Sequence, residues 1–321
     1  MKTFRRILSL LLCPAMLTLC ACAGPVSSNT NQTTTVPEET IDPNAPLCDG
    51  KTLKILAITS SFGLNTTQVL YDVATAHGFT DVVVARLYGS GCTLQQHAEN
   101  AKSNAAFYEY TKNNSGKWNT MNPVTMQYGL QDEEWDIIFL QQSAAHSPQP
   151  ETYGDYIDQI MPYIKENIKN PNAKFVWNMT WAYQQDNTDQ YVFHKFDNDQ
   201  MKMYEGIVTT LKDLIVPRTD FHAIIPSGTA IQNARTSYFG DNLTRDGLHL
   251  NSLGRVISAY TLFATITKQE LTEIRLNEVT KAMSPETQPI VLTDADKQVI
   301  IEAVNAAIAN PYSVTQSQYT N

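Results

Sequence analysis

Leu53-Lys54-Ile55-Leu56-Ala57-Ile58 is a short apolar run that stops abruptly in Thr59-Ser60-Ser61-Phe62-Gly63. A run this short, with one charge, suits a strand covered on both faces, the usual state of a strand in a parallel sheet. The same pattern recurs at Val82–Leu87, Ile137–Leu140, Phe175–Met179 and Ala223–Pro226. Amphipathic stretches that read as helices fall among and after them, at Thr67–His77, Tyr153–Asn167, Asp199–Ile215 and Ser252–Lys268. Alternation of this kind predicts one α/β domain over residues 51–275, its sheet covered on both sides. Phe107–Trp118, with the turn signal Asn113-Asn114-Ser115-Gly116, reads as an inserted hairpin. In the C-terminal extension, residues 276–321, Leu292–Ala309 reads as one more helix. So short a segment makes a poor independent core, so it is expected to pack on the same domain.

The chain has 321 residues, 42% hydrophobic and 17% charged, enough to bury a sizeable core. Lys and Arg total 23 against 32 Asp and Glu, a net charge of −9 with no basic cluster beyond the first six positions. That balance argues against a nucleic-acid partner, since affinity for phosphate needs a positive surface. The five cysteines, at 13, 20, 22, 48 and 92, show no paired C-x-x-C spacing and are too few for a disulfide scaffold. Cys48 precedes the first strand and Cys92 follows the second, so parallel neighbours would hold the two thiols at opposite ends of the sheet, roughly 20 Å apart. A disulfide needs α-carbons within about 7 Å, so both are expected to be free.

Residues 1–21 read as an export signal: Lys2, Arg5 and Arg6 precede an apolar stretch from Ile7 to Leu19 that is short for a membrane span. Leu19-Cys20-Ala21-Cys22 resembles a bacterial lipobox, which implies cleavage before Cys22 and its lipidation; an ordinary cleaved signal peptide is the alternative. Loss of residues 1–21 takes the net charge from −9 to −12. The stretch that follows is rich in Thr, Ser, Asn and Pro, so residues 22–50 read as a flexible tether. The expected location is a cell surface or periplasm, with the protein held to a membrane by its lipid.

In parallel sheets ligands bind beyond the carboxyl ends of the strands. Those positions hold Ser60-Ser61 after the first run, Tyr88-Gly89-Ser90-Gly91-Cys92 after the second and Gln141-Gln142-Ser143 after the third. A serine in a strand-to-helix turn is more often a cap than a nucleophile. Far downstream, Asp246-Gly247-Leu248-His249 places a carboxylate and an imidazole three residues apart. Within one turn the carboxylate can hold one ring nitrogen while the other reaches a serine hydroxyl. Taken alone, each motif is common; their order along the chain makes coincidence a poor explanation.

From Lys54 to Phe263 the chain resembles the SGNH, or GDSL-type, hydrolase superfamily, and within it secreted bacterial proteins akin to carbohydrate esterases. The resemblance implies a three-layer α/β/α body with a central, mostly parallel, flavodoxin-like sheet. It implies Ser61 as nucleophile, His249 as general base and Asp246 as its partner. The oxyanion hole would combine the Ser61 and Gly91 amides with a side-chain amide, Gln141 first and Gln142 second. Neither metal nor organic cofactor is implied, and the expected substrate is an acylated carbohydrate. Two blocks depart from the superfamily: Thr59-Ser60-Ser61 replaces Gly-Asp-Ser, and Gln141-Gln142 stands where Asn is usual. The first departure leaves Ser60 as a second candidate nucleophile. The alternatives are a surface glycan-binding protein that has lost activity and a lipid or thioester hydrolase.

Other patterns carry less. Gly89-Ser90-Gly91 lacks the third glycine of a dinucleotide loop, and Asp197-Asn198-Asp199 lacks the turn glycine and terminal Glu of a calcium loop. His77, His97, His146, His194 and His222 read as surface or packing residues, with His146 close enough to a strand end to line the cleft. Tyr88, Trp177, Trp181 and Tyr183 also fall near strand ends, where aromatics belong to the core or form stacking faces for sugars.

Overall fold

The structure, a computed structural model, describes residues 45–188, 191–279 and 288–320. The export signal, Cys22 and most of the tether lie outside the described residues. Residues 41–321 form one compact unit. In chain order its central strands are β1 (Thr52–Thr59), β2 (Asp81–Tyr88), β3 (Tyr108–Asn113), β4 (Trp118–Val124), β5 (Ile137–Leu140), β6 (Lys174–Asn178) and β7 (Ala223–Ile225). They form a sheet of order β4-β3-β2-β1-β5-β6-β7. β2, β1, β5, β6 and β7 run parallel, in the order of a flavodoxin-like sheet. The predicted hairpin exists, but it is not a separate insertion: β3 pairs antiparallel with β2 and extends the sheet.

The helices are α1 (Ser61–Thr67), α2 (Leu70–Ala76), α3 (Leu94–Ser103), α4 (Met126–Asp132), α5 (Tyr156–Asn167), α6 (Gln200–Leu214), α7 (Ser227–Arg235), α8 (Ser252–Thr267) and α9 (Asp294–Ala309). α8 packs against α1, α2, α7 and α9, while α3, α4 and α5 pack together. The two groups cover opposite faces. Arg86 on β2 reaches Thr67 at the end of α1, whereas Tyr110 and Lys112 on β3, of the other parity, reach Asp132 at the end of α4. α8 is buried on almost every side, which is why a run as apolar as Val256–Ile266 is stable there. α9 supplies part of that cover through Val299, Ile300, Ala303 and Val304.

The predicted helix Thr67–His77 is displaced. Helix begins at Ser61, breaks at Gln68-Val69 and resumes at Leu70. Gly63, which reads as a loop residue, is needed inside α1 because a Cβ there would lie 2.0 Å from Thr59 Oγ1 and 2.8 Å from the Phe139 ring. α3, α4 and α7 have no counterpart in the sequence reading. All nine residues of α7 are buried, several of them polar, so it shows no amphipathic period. The tether ends sooner than residue 50: the Leu47 amide donates to the Ile266 carbonyl at 2.8 Å, and Cys48 packs on the core beside it. Cys48 and Cys92 are both free thiols.

Candidate active site

β1 and β5 are neighbours, but the chain leaves β1 for β2 on one side and reaches β5 on the other. The loops after β1 and β5 therefore diverge and open a crevice. Ser61, the first residue of α1, stands at that crevice. Its Oγ lies 2.9 Å from His249 Nε2, and His249 Nδ1 lies 2.7 Å from Asp246 Oδ2. The other Asp246 oxygen accepts the backbone amides of Leu248 and His249, at 3.2 and 2.7 Å, so the carboxylate fixes the turn as well as the imidazole. Partial burial pushes the Asp246 carboxyl up, but the His249 amide, the imidazole and the Leu248 amide outweigh it and hold it below the ordinary value. Asp246 is thus an anion at neutral pH, the form that orients and stabilises an imidazolium.

Four residues seat the turn that carries His249. Asn65, one helical turn beyond Ser61, accepts the Leu250 amide at 2.8 Å. Trp181 Nε1 donates to the Leu248 carbonyl at 2.8 Å, the Gln184 amide to the Gly247 carbonyl at 2.8 Å, and Arg255 Nε to the Leu250 carbonyl at 3.1 Å. Beneath the imidazole, Phe62 stacks on Trp181 at 4.1 Å and meets the His249 ring in a T-shaped contact at 5.9 Å. Trp181 and Tyr183, both buried, pack against Phe62 under the site, while Trp177, also buried, packs on Tyr153 and Phe221; none of the three offers an open stacking face, and Tyr88 is half-buried.

Ser60 and Ser61 point to different places. Ser60 is buried and its Oγ accepts from Gln141 Nε2 at 3.3 Å, whereas Ser61 is half-buried and faces His249. Gln141 Oε1 accepts from Asn178, Asn178 accepts from Ser227, and Ser227 and Ser258 link onward to Thr66. The chain of buried polar groups starts at the N-cap of α1 and ends on its last turn, so it ties both ends of the helix that carries Ser61. Gln142 has another task. Its Oε1 accepts the Leu94 and Ser143 amides and its Nε2 donates to Thr152, which commits the carboxamide to holding the start of α3 and the 143–152 loop.

Gly91 is exposed with φ +61°, and a side chain there would meet nothing but would be strained by the left-handed backbone. The neighbouring Gly89 amide donates to the Thr59 carbonyl at 3.1 Å, stitching the second loop to the first. His146 makes a local contact, with Nδ1 2.8 Å from Ser143 Oγ, and is not joined to Ser61. Sequence reasoning missed Asn65, Phe62, Gln184 and Asn178. The one available signal was the spacing of four between Ser61 and Asn65.

Beside Asp246 lies a recess of 300 Å³ lined by Gln184, Asp186, Asn187, Thr244 and Arg245. On the other side, the Phe107 ring, 41% exposed, borders the Gly89–Gly91 loop. A Cβ on residue 89 would fall 2.5 Å from that ring, so glycine is required for the loop to pack on it.

The fold and the hydrogen-bonded chain define a doubly wound α/β/α protein with a serine, a histidine and an aspartate assembled at its topological switch point. Residues 54–287 match the profile of DUF4886, a domain of unknown function, and the chain belongs to that family. It is similar to the crystal structure of a DUF4886 family protein from Bacteroides uniformis, with 32% identity, a TM-score of 0.75, and coverage of 84% of this chain and 100% of that one. A protein from Slackia heliotrinireducens, provisionally assigned as an SGNH hydrolase, is 19% identical with a TM-score of 0.43 over 68% of this chain and 100% of its own. LAE5, an alpha/beta hydrolase enzyme from the metagenome of Lake Arreo, is 10% identical with a TM-score of 0.39 over 67% of this chain and 96% of its own. At those scores neither bears on the chemistry. No curated protein matches.

Proposed function

We propose that this protein is an SGNH-type serine esterase, exported and held to a membrane through lipidated Cys22, that removes acyl groups, acetyl foremost, from carbohydrate. The observation that carries the esterase reading is the continuous chain from Ser61 Oγ through His249 to Asp246. A serine hydroxyl is hardly ionised at neutral pH and needs such a base. In the reaction, His249 Nε2 takes the Ser61 proton as Oγ bonds to the acyl carbon. The same proton then passes to the departing sugar oxygen. Water, deprotonated by His249, cleaves the acyl-enzyme, releases the carboxylic acid and returns the proton to Ser61. The oxyanion is received by the Ser61 and Gly91 amides, with the second Gln141 Nε2 hydrogen as the side-chain donor; Asn178 pins the other end of that carboxamide.

The carbohydrate reading draws on the lining of the recess beside Asp246, which offers carboxamides, a hydroxyl and charges on a scale that fits a sugar and gives a long acyl chain no apolar wall. Among the described residues no helix is long and apolar enough to cross a membrane. The test is hydrolysis of an acetylated sugar by the purified protein beside its Ser61→Ala variant. The expected loss is about 10⁴-fold or more. Equal rates in the two proteins would refute the assignment of Ser61.

A further inference from the structure

We propose that the α1 side of the β2–β3–β4 edge binds a small monovalent anion, of the size of chloride, among Arg86, Trp118 and Thr111. Arg86 is only 3% exposed, and its Nε donates to Thr67 Oγ1 at 2.8 Å. Its guanidinium lies 3.5 Å over the centre of the Trp118 ring. That contact satisfies the face of the cation and leaves its in-plane N–H groups to find acceptors. Among the described residues Arg86 Nη2 has none, and the same holds for the buried Trp118 Nε1 and Thr111 Oγ1. No carboxylate forms an ion pair with Arg86 among them.

The strand register gathers these groups. Arg86 stands opposite Thr111, and Trp118 stands opposite Asn113, two residues further along β3, so all three side chains belong to one face. Arg255, a second buried guanidinium, projects from α8, which packs on α1 and α2. Burial first, and then the charge of Arg255, disfavour the cation of Arg86, with Glu109 acting in the opposite direction. A guanidinium in such a place is stable only with a counter-charge. A guanidinium N–H, an indole N–H and a hydroxyl make a donor-rich site, which suits an anion better than a metal ion. Glu109, half-buried on the same face and opposite Tyr88, disfavours a multiply charged one.

The experiment is thermal unfolding of the whole protein while chloride replaces gluconate, an anion too large for the site, at fixed ionic strength. Tm is expected to rise by about 3 °C for each tenfold increase of chloride above its dissociation constant. Arg86→Met, which keeps an unbranched stem and removes the guanidinium, should abolish that rise. Should that variant fail to fold, Trp118→Phe, which removes the indole N–H and keeps an aromatic ring under the guanidinium, should reduce it. In crystals grown in bromide, an anomalous peak is expected at hydrogen-bond range from Arg86 Nη2. A halide-independent Tm with no bromide peak overturns the proposal, and so does a halide response that persists unchanged in Arg86→Met. If Glu109 is itself the counter-ion, the response is missing in the natural protein and arises only in Glu109→Gln, which also overturns it. No readout depends on esterase activity, so the two proposals stand or fall separately.

Discussion

His249 and His97 are two histidines, each beside a hydroxyl, in surroundings that make them chemically unlike. His249 is partly exposed, with a carboxylate 2.7 Å from Nδ1 and a serine hydroxyl 2.9 Å from Nε2. His97 is buried on α3, where Nδ1 lies 2.9 Å from the Tyr108 hydroxyl and 3.5 Å from Cys92 Sγ, and Nε2 has no partner among the described residues. Burial pushes His97 down to about 4 and the Cys92 thiol up to about 12. A thiol–imidazole pair that spacing alone could present as a nucleophile and base is thereby held neutral on both sides. What separates the two regions is a carboxylate and an opening to solvent.

The comparison breaks first on activity. His249→Asn is expected to lower kcat/KM for an acetyl ester by about 10⁴-fold or more, and Asp246→Asn by about 10²- to 10⁴-fold, because the second leaves the imidazole in place without its anionic support. His97→Gln, which can still bond Tyr108, should leave kcat/KM unchanged at neutral pH. Matching losses at His249 and His97 would show that the buried cluster takes part in the chemistry.

Stability against pH tests the other half. In the unfolded chain His97 takes up a proton near pH 6.5, whereas in the folded protein it does so only near 4. The unfolded state therefore binds more protons between these values, and stability falls as pH drops through that window. It is fully present above about 6.5. The loss assigned to this one group is about 3 kcal/mol, read as the difference between the natural protein and His97→Gln in urea unfolding at pH 7 and pH 4. Parallel pH profiles for the two proteins would mean that His97 is protonated in the native state. Asp246, also depressed, adds a loss of the same sign at lower pH, where its carboxylate takes a proton.

The two regions also differ in how far the sequence exposes them. Asp246 and His249 are legible because one turn joins them, and the parallel strands are legible because burial on both faces leaves a continuous apolar run such as Ile137–Leu140. The pairing of His97 with Tyr108 crosses eleven residues and a strand boundary, and no local period announces it. Gln141 and Gln142 are adjacent, equally buried and alike in chemistry, yet one faces Ser60 and the other the start of α3. Only the direction of the β5 backbone assigns them. α7 is hidden for a related reason: its polar residues are satisfied inside the protein, as Ser227 is by Asn178 and Thr229 by the Pro311 carbonyl, so they read as a surface loop.

The smallest expected effect lies at the seam between the regions. Phe107 precedes Tyr108, the partner of His97, and its ring, 41% exposed, meets the Tyr108 ring edge-on at 5.2 Å while its Cε1 and Cζ border the Gly89–Gly91 loop. β3 runs antiparallel to β2, so the start of β3 lies at the carboxyl end of β2, on the side of the sheet edge where Ser61 stands. With the about 0.5–1.5 kcal/mol of an aromatic pair taken as the scale for a sugar ring on an aromatic face, Phe107→Ala is expected to raise KM for an acetylated sugar by about 3- to 10-fold with little change in kcat. A small aryl acetate, hydrolysed at the same serine without reaching the rim, should show no such change. Since the substitution also removes a contact to Tyr108, a rise in KM for both substrates, accompanied by a lower Tm, would trace the effect to the buried cluster. A rise confined to the sugar ester would make Phe107 part of the substrate cleft and leave the buried cluster a matter of stability alone.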